Sequence, residues 1–150
     1  MTNWDTYGAM AHNYYFYNHS LNKLTWIPWD NNESFSTSSG GPTGSSVNLS
    51  LSSVSSAWPL IRYLADDSVY YDRYKKYVRT FADATFETSE VHAMMDQYHT
   101  LISRYVIGPD ETESGKYTQL TNTTSFTREL NTLKQHVVNR QSAVDSFVPN

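Results

Sequence analysis

The sequence predicts an α+β protein, mostly α, with a small β-hairpin near its start and three or four helices after it. Three observations carry that expectation. Two short aromatic runs, residues 13–17 and 24–29, flank the turn-forming "NHSLNK". Apolar residues beyond Trp58 recur at the three- and four-residue spacing of helix faces. The stretch between them, residues 34–56, is rich in serine and glycine and has no helical period. At 150 residues the chain is long enough to bury a core, and one domain over 1–150 is expected.

The elements follow in order. Asn13–Tyr17 and Leu24–Trp29 read as the two strands, with Pro28 marking an edge or a strand terminus because it cannot donate to a ladder. "SFSTSSGGPTGSSVNLSLSSVSS" reads as a flexible surface loop, whose alternating tail "VNLSLSSV" is compatible with a short strand. "WPLIRYLA" starts a helix with Pro59 in its first turn, where the missing N–H costs nothing. Tyr70, Tyr74, Tyr77, Val78 and Phe81 mark a second helix. Val91, Met94, Met95, Tyr98, Leu101, Ile102 and Tyr105 mark a third, with Thr88 or Ser89 available as N-cap. After the loop "GPDETESGK", Phe126, Leu130, Leu133, Val137, Val144 and Val148 stripe a final helix. These stripes are expected to face a core rather than a ligand. His92, Asp96 and His99 have a spacing that permits metal binding, but without a supporting ligand pattern they read as a solvated helix flank.

Charge and composition narrow the function. A net charge of -4, with Lys75 and Lys76 the one adjacent basic pair, argues against a nucleic-acid partner. Absence of cysteine excludes disulfides and thiolate metal sites. No apolar run approaches the roughly 20 residues of a membrane-spanning helix, and no signal peptide is visible. Abundant Asn, Ser, Thr and Tyr lean towards a secreted or surface setting without fixing the compartment.

The residues that attract attention lie at the start. Asp5 sits in a polar turn with Gly8, and Asp30 closes the second aromatic run. A hairpin brings its two ends together, so Asp5, Asn13 and Asp30 are placed to converge at one mouth. Two carboxylates and an amide oxygen are hard donors suited to Mg²⁺ or Mn²⁺. From spacing alone, Asp5 reads sooner as a turn cap and Asp30 as a strand-end cap.

"NWDTYGAMAHNYYFYN" followed by "LTWIPWDNNESF" closely resembles the hallmark region of the spore coat protein H (CotH) kinase family. "PLIRYLADDSVYYDRYKKYVRTF" and "FTRELNTLKQHVVNRQSAVDSFV" are similar in kind to its later segments, so the resemblance spans nearly the whole chain. It implies an atypical protein kinase that passes the γ-phosphoryl group of ATP, held with Mg²⁺ or Mn²⁺, to Ser or Thr hydroxyls of protein substrates. By position, Asp5 takes the role of the catalytic-loop aspartate, while Asn13 and Asp30 take those of metal ligands. The gap from Asp5 to Asn13 is longer than in ordinary kinases. Many relatives carry Asp-x-Asp where this chain reads "DNN", so Asn32 stands at the second metal position with an amide in place of a charge. His12 is expected to be a hydrogen-bonding scaffold residue. Tyr14, Phe16, Trp26 and Trp29 are expected to wall the hairpin, with Tyr15 and Tyr17 on its other face.

The resemblance also implies that residues 1–150 correspond to a carboxy-terminal lobe. The phosphate-covering loop and ATP-pairing lysine of an amino-terminal lobe are expected upstream, and the chain without that lobe is expected to be inactive. A role of another class goes with the same family: a non-catalytic domain in spore-coat assembly or surface adhesion.

Overall fold

The computed structural model describes residues 3, 5–21, 23–32, 34–35, 48–115 and 118–149. The order of elements is β1 (Tyr14–His19), β2 (Lys23–Pro28), α1 (Pro59–Ala65), α2 (Ser68–Ala84), α3 (Thr88–Val106) and α4 (Thr124–Phe147). The protein is therefore mostly helical with one antiparallel hairpin near its start, and the chain divides into two compact units, Met1–Tyr77 and Val78–Asn150.

In the first unit, Tyr14 pairs with Pro28, Phe16 with Trp26 and His19 with Lys23. The strands lie one or two residues from the predicted bounds, because Lys23 resumes the ladder directly after the turn. Lys23 itself takes φ 61°, the left-handed conformation that closes three-residue hairpin connections. On one face, the Tyr7 ring meets Tyr14, Phe16 and Trp58 edge-on at 5.2, 5.7 and 4.9 Å. Trp29 does not join that wall. It stacks on Tyr15 at 6.4 Å, as strand alternation requires of a residue two after Ile27, which pairs with Tyr15.

Helix α1 has Pro59 at its start and no side-chain cap from Trp58. The Tyr7 hydroxyl instead accepts the Leu60 N–H at 3.3 Å, satisfying one of the unpaired donors of the first turn. Arg62 anchors the preceding turn by donating to the carbonyls of Leu51 (2.7 Å) and Val54 (3.1 Å). Tyr71 and Tyr74 donate their hydroxyls to the carbonyls of Ser50 and Leu49 at 3.0 and 2.8 Å. These bonds hold residues 48–54 as turns, so the short strand suggested by "VNLSLSSV" does not form in its described part. The centre of the predicted 34–56 loop, residues 36–47, lies outside the described residues.

The second unit is built on α3 and α4. Val91, Ile107, Val137 and Val144 are buried with Ala82 and Phe86, and Val137 is fully so. Glu87, rather than Thr88 or Ser89, caps α3: its Oε2 accepts from the N–H groups of Ser89 (2.8 Å) and Glu90 (3.0 Å). The longer carboxylate reaches the orphan donors from one residue earlier. Asn122 does the same for α4, accepting from the Ser125 N–H at 2.9 Å. Gly108, at φ 78°, follows the α3 C-cap in the left-handed conformation that ends many helices.

Two expectations need correction here. His92, Asp96 and His99 form a solvated flank only in part: Asp96 is exposed, while His92 and His99 are half-buried. His92 Nε2 lies 3.0 Å from the Lys134 carbonyl, Asp96 pairs with Lys134 Nζ at 2.6 Å, and His99 stacks on Phe126 at 3.8 Å. All three contacts run from α3 to α4. The apolar stripes, conversely, are only partly core: Met94, Tyr98, Leu101, Ile102 and Tyr105 are exposed, as are Tyr70 and Tyr77. A helix that packs on one partner buries a narrow seam, and the broader stripe is left in solvent. Among the described residues, no helix is long and apolar enough to cross a membrane.

Candidate functional site

The site is assembled by two turns at the open end of the hairpin. Asn3 starts the first. Its Oδ1 accepts the Asp5 N–H at 3.0 Å, an Asx turn that fixes the backbone around the aspartate. Thr6 then accepts the N–H groups of Ala9 and Met10 at 3.1 and 2.9 Å, and Gly8 turns the chain with φ 112°. A β-carbon on Gly8 would stand 2.8 Å from Ile61 Cδ1, so the turn lies directly against α1, and its positive φ favours glycine.

Asp5 and Asn13 meet. The Asn13 amide donates to Asp5 Oδ2 at 2.7 Å, and Asn13 is 5% exposed. His12 Nε2 approaches the other carboxylate oxygen, Oδ1, to 3.0 Å. That approach is close but not aligned as a hydrogen bond, and Oδ1 is a buried acceptor without a donor. The aspartate is thus hydrogen-bonded at one oxygen, while the other has His12 beside it and no aligned donor among the described residues.

Asp30 is reached through the backbone. The Trp29 N–H donates to the Asn13 carbonyl at 3.2 Å, extending the ladder by one step and placing Asp30 next to that junction. Asp30 has φ 55° and Asn13 φ 61°, both left-handed, which Asn and Asp tolerate better than most residues. Asn3 Nδ2 donates to Asn31 Oδ1 at 3.0 Å and ties the second turn to the first. The Asp30 and Asn32 side chains are exposed and make no hydrogen bond among the described residues. So Asp5, His12 and Asn13 share contacts, while Asp30 and Asn32 stand beside them without joining. Among the described residues, no group of three or more His, Asp or Glu is close enough to hold a metal ion.

The donor chemistry nonetheless suits a hard divalent cation. Asn13 commits its NH₂ group to Asp5, and its side-chain carbonyl oxygen and the Asp30 carboxylate make no hydrogen bond among the described residues. Two further buried hydroxyls lie in these turns without hydrogen-bond partners, Thr6 Oγ1 and Ser34 Oγ, the latter residue 0% exposed. Sequence reading passed over Asn3, Thr6 and Ser34. The Asn-x-Asp spacing at residues 3–5 was the available signal for the first; burial of two hydroxyls leaves none.

A family model for CotH kinase protein matches residues 1–144. The chain belongs to the CotH kinase family. No curated protein and no solved structure matches it. The quoted segments fall within the CotH match except for residues 145–148 at the end of the last one, and the Asp5–Asn13 pair and Asp30 lie inside it.

Proposed function

We propose that this chain carries the catalytic loop and metal-binding aspartate of a CotH-like atypical protein kinase, the carboxy-terminal lobe of a kinase-like fold. The reaction is transfer of the γ-phosphoryl group of ATP to a Ser or Thr hydroxyl of a protein substrate. The observation that supports it best is the Asp5–Asn13 pair, with one carboxylate oxygen held at 2.7 Å and the other buried beside His12 without an aligned donor among the described residues.

In this reading Asp5 orients the substrate hydroxyl and takes its proton as the new O–P bond forms and the bond to the departing ADP oxygen breaks. Asn13, through its amide oxygen, and Asp30 would hold Mg²⁺ or Mn²⁺, with Asn32 as an uncharged third donor. The cation, when bound, supplies charge neutralisation along the phosphates. Asn13 has a double task, since its amide also sets the Asp5 carboxylate. A surface or spore-coat location accompanies the family assignment as part of the same proposal.

The test is phosphotransfer from radiolabelled ATP by the native protein carrying these residues, beside Asp5→Asn and Asp30→Ala. Loss of incorporation in both variants is expected. Full activity in both would remove the kinase centre from this hairpin and favour a binding role in surface assembly.

A further inference from the structure

The first unit has an apolar cleft that the kinase reading does not use. It lies between α1 and the first half of α2, beside the turn at Leu51, and encloses about 380 Å³. Ile61, Leu64, Tyr70, Tyr74 and Tyr77 supply its walls and Arg73 its rim. We propose that this cleft docks an extended segment of the protein substrate, one that presents an apolar side chain next to an acidic one. The inference rests on the proposed kinase activity for the nature of the partner.

Three features point to that occupant. The first is charge. Arg62, Lys75 and Arg79 each hold a carboxylate, whereas Arg73 has no ion pair or hydrogen bond among the described residues. An unpaired guanidinium on the rim of an apolar cleft suits a carboxylate beside an apolar anchor. The second is shape. Leu64, Tyr70 and Tyr77 are 53%, 50% and 73% exposed, so the walls are low. A small molecule that binds tightly needs most of its surface covered, which these walls do not provide. Side chains along an extended peptide need only partial cover, and the rest of the segment stays in water. Tyr74 is fixed by its hydroxyl bond to the Leu49 carbonyl, so that wall of the cleft is in place before anything enters.

The third feature is position. Ile61 lines the cleft and its Cδ1 also supports the Gly8 turn, which carries Asp5 three residues earlier. A segment docked here is therefore held on the same unit as the catalytic loop, against the helix on which that loop rests. Docking at such a point raises the local concentration of a nearby hydroxyl without touching the reacting atoms.

The experiment reads binding without nucleotide. Phage-displayed random dodecapeptides are selected on the full chain, and the enriched sequences are measured as labelled peptides by fluorescence anisotropy. Wild type is compared with Arg73→Glu, Tyr77→Ser and Asp5→Asn, each checked for folding by circular dichroism. Enriched sequences should pair Leu, Phe or Met with Asp or Glu. Arg73→Glu should weaken them by about tenfold or more, and a fresh selection on that variant should exchange the acid for Lys or Arg. Tyr77→Ser should also weaken binding, and Asp5→Asn should leave it unchanged. If no enriched peptide depends on Arg73 and Tyr77, the proposal is wrong. It is equally overturned if dodecanoate binds in an Arg73-dependent way while no peptide does, since the cleft is then an acyl-chain site. A chain that binds such peptides but never phosphorylates keeps the docking surface and loses the kinase reading. Phosphorylation without Arg73-dependent peptides loses the docking alone.

Discussion

Asn13 combines a left-handed backbone with a buried amide bonded to Asp5, and the two features separate on substitution. Asn13→Ala keeps a β-carbon in the strained region and removes the bond, whereas Asn13→Gly removes the bond and relieves the strain. Urea denaturation should find the alanine variant less stable than the glycine variant by about 1 kcal/mol. On the proposed kinase reading, both should lose phosphotransfer, because neither sets the Asp5 carboxylate. Asp5 and Asp30 should differ in another way. Asp5→Ala is expected to lower the transfer rate by roughly 10²–10⁴-fold with little change in nucleotide affinity, since a proton acceptor matters mainly in the transition state. Asp30→Ala should lose both, and Asn32→Asp should be tolerated. Nucleotide titration beside initial rates distinguishes these outcomes. His136 offers a pH test. Burial, with the positive charge of Arg140 nearby, lowers its pKa from 6.5 to about 4. The folded state thus keeps the ring neutral where the unfolded chain would protonate it. Its contribution to stability is intact above pH 6.5 and is lost as pH falls towards 4, on the order of 3 kcal/mol at most. His136→Gln should lose less stability than wild type between pH 7 and pH 4.5 in parallel denaturation curves.

Turns and helix ends are fixed by single side chains. Glu87 caps α3 through one carboxylate oxygen, and the Ser89 hydroxyl, which donates to it at 2.6 Å, holds its pKa below the usual carboxylate range. A depressed carboxylate stabilises the fold above its unfolded pKa, and that contribution fades as pH falls through the folded value. Glu87→Ala should therefore lower the melting temperature by a few degrees at neutral pH and by less at pH 3. Gly8 sets the junction between the Asp5 turn and α1. Gly8→Ala places a methyl group 2.8 Å from Ile61 Cδ1 and strains φ at 112°. A loss of roughly 1–3 kcal/mol is expected. Ile61→Val should not restore it, because shortening the neighbour leaves the backbone strain in place. Thermal denaturation of the single and double variants checks this, and recovery in the double variant would assign the whole cost to crowding.

Across the whole chain, the residue expected to be catalytic and those expected to bind metal are only partly gathered. Asp5 and Asn13 touch, while Asp30 and Asn32 face solvent, and no three-residue metal cluster forms among the described residues. A cation held by so few preorganised donors binds weakly, and ATP that depends on it does the same. The isolated 150-residue chain should therefore bind Mg²⁺-ATP or Mn²⁺-ATP weakly or not at all in calorimetric titration. A low-micromolar dissociation constant would contradict this and would mean that the chain assembles a complete nucleotide site.

Local rules account for much of this protein. Strand propensity with a turn between gave the hairpin, Pro59 gave the start of α1, and apolar spacing gave α2, α3 and α4. Each depends on a residue and its near neighbours, which is why each was legible. The motif residues Asp5, Asn13 and Asp30 could be named from sequence because their order is local too. What the sequence left open depends on partners distant along the chain. Glu87 rather than Ser89 caps α3 because its side chain happens to reach two free N–H groups. His92, Asp96 and His99 became α3–α4 contacts because Lys134 and Phe126 lie opposite. Whether an apolar stripe is buried depends on how many neighbours cover it, and periodicity records only that a face exists. The exposure of the Asp30 carboxylate and the lack of a partner for Arg73 among the described residues likewise follow from the packing of separated segments, which fixes distances and burial that residue order does not encode locally.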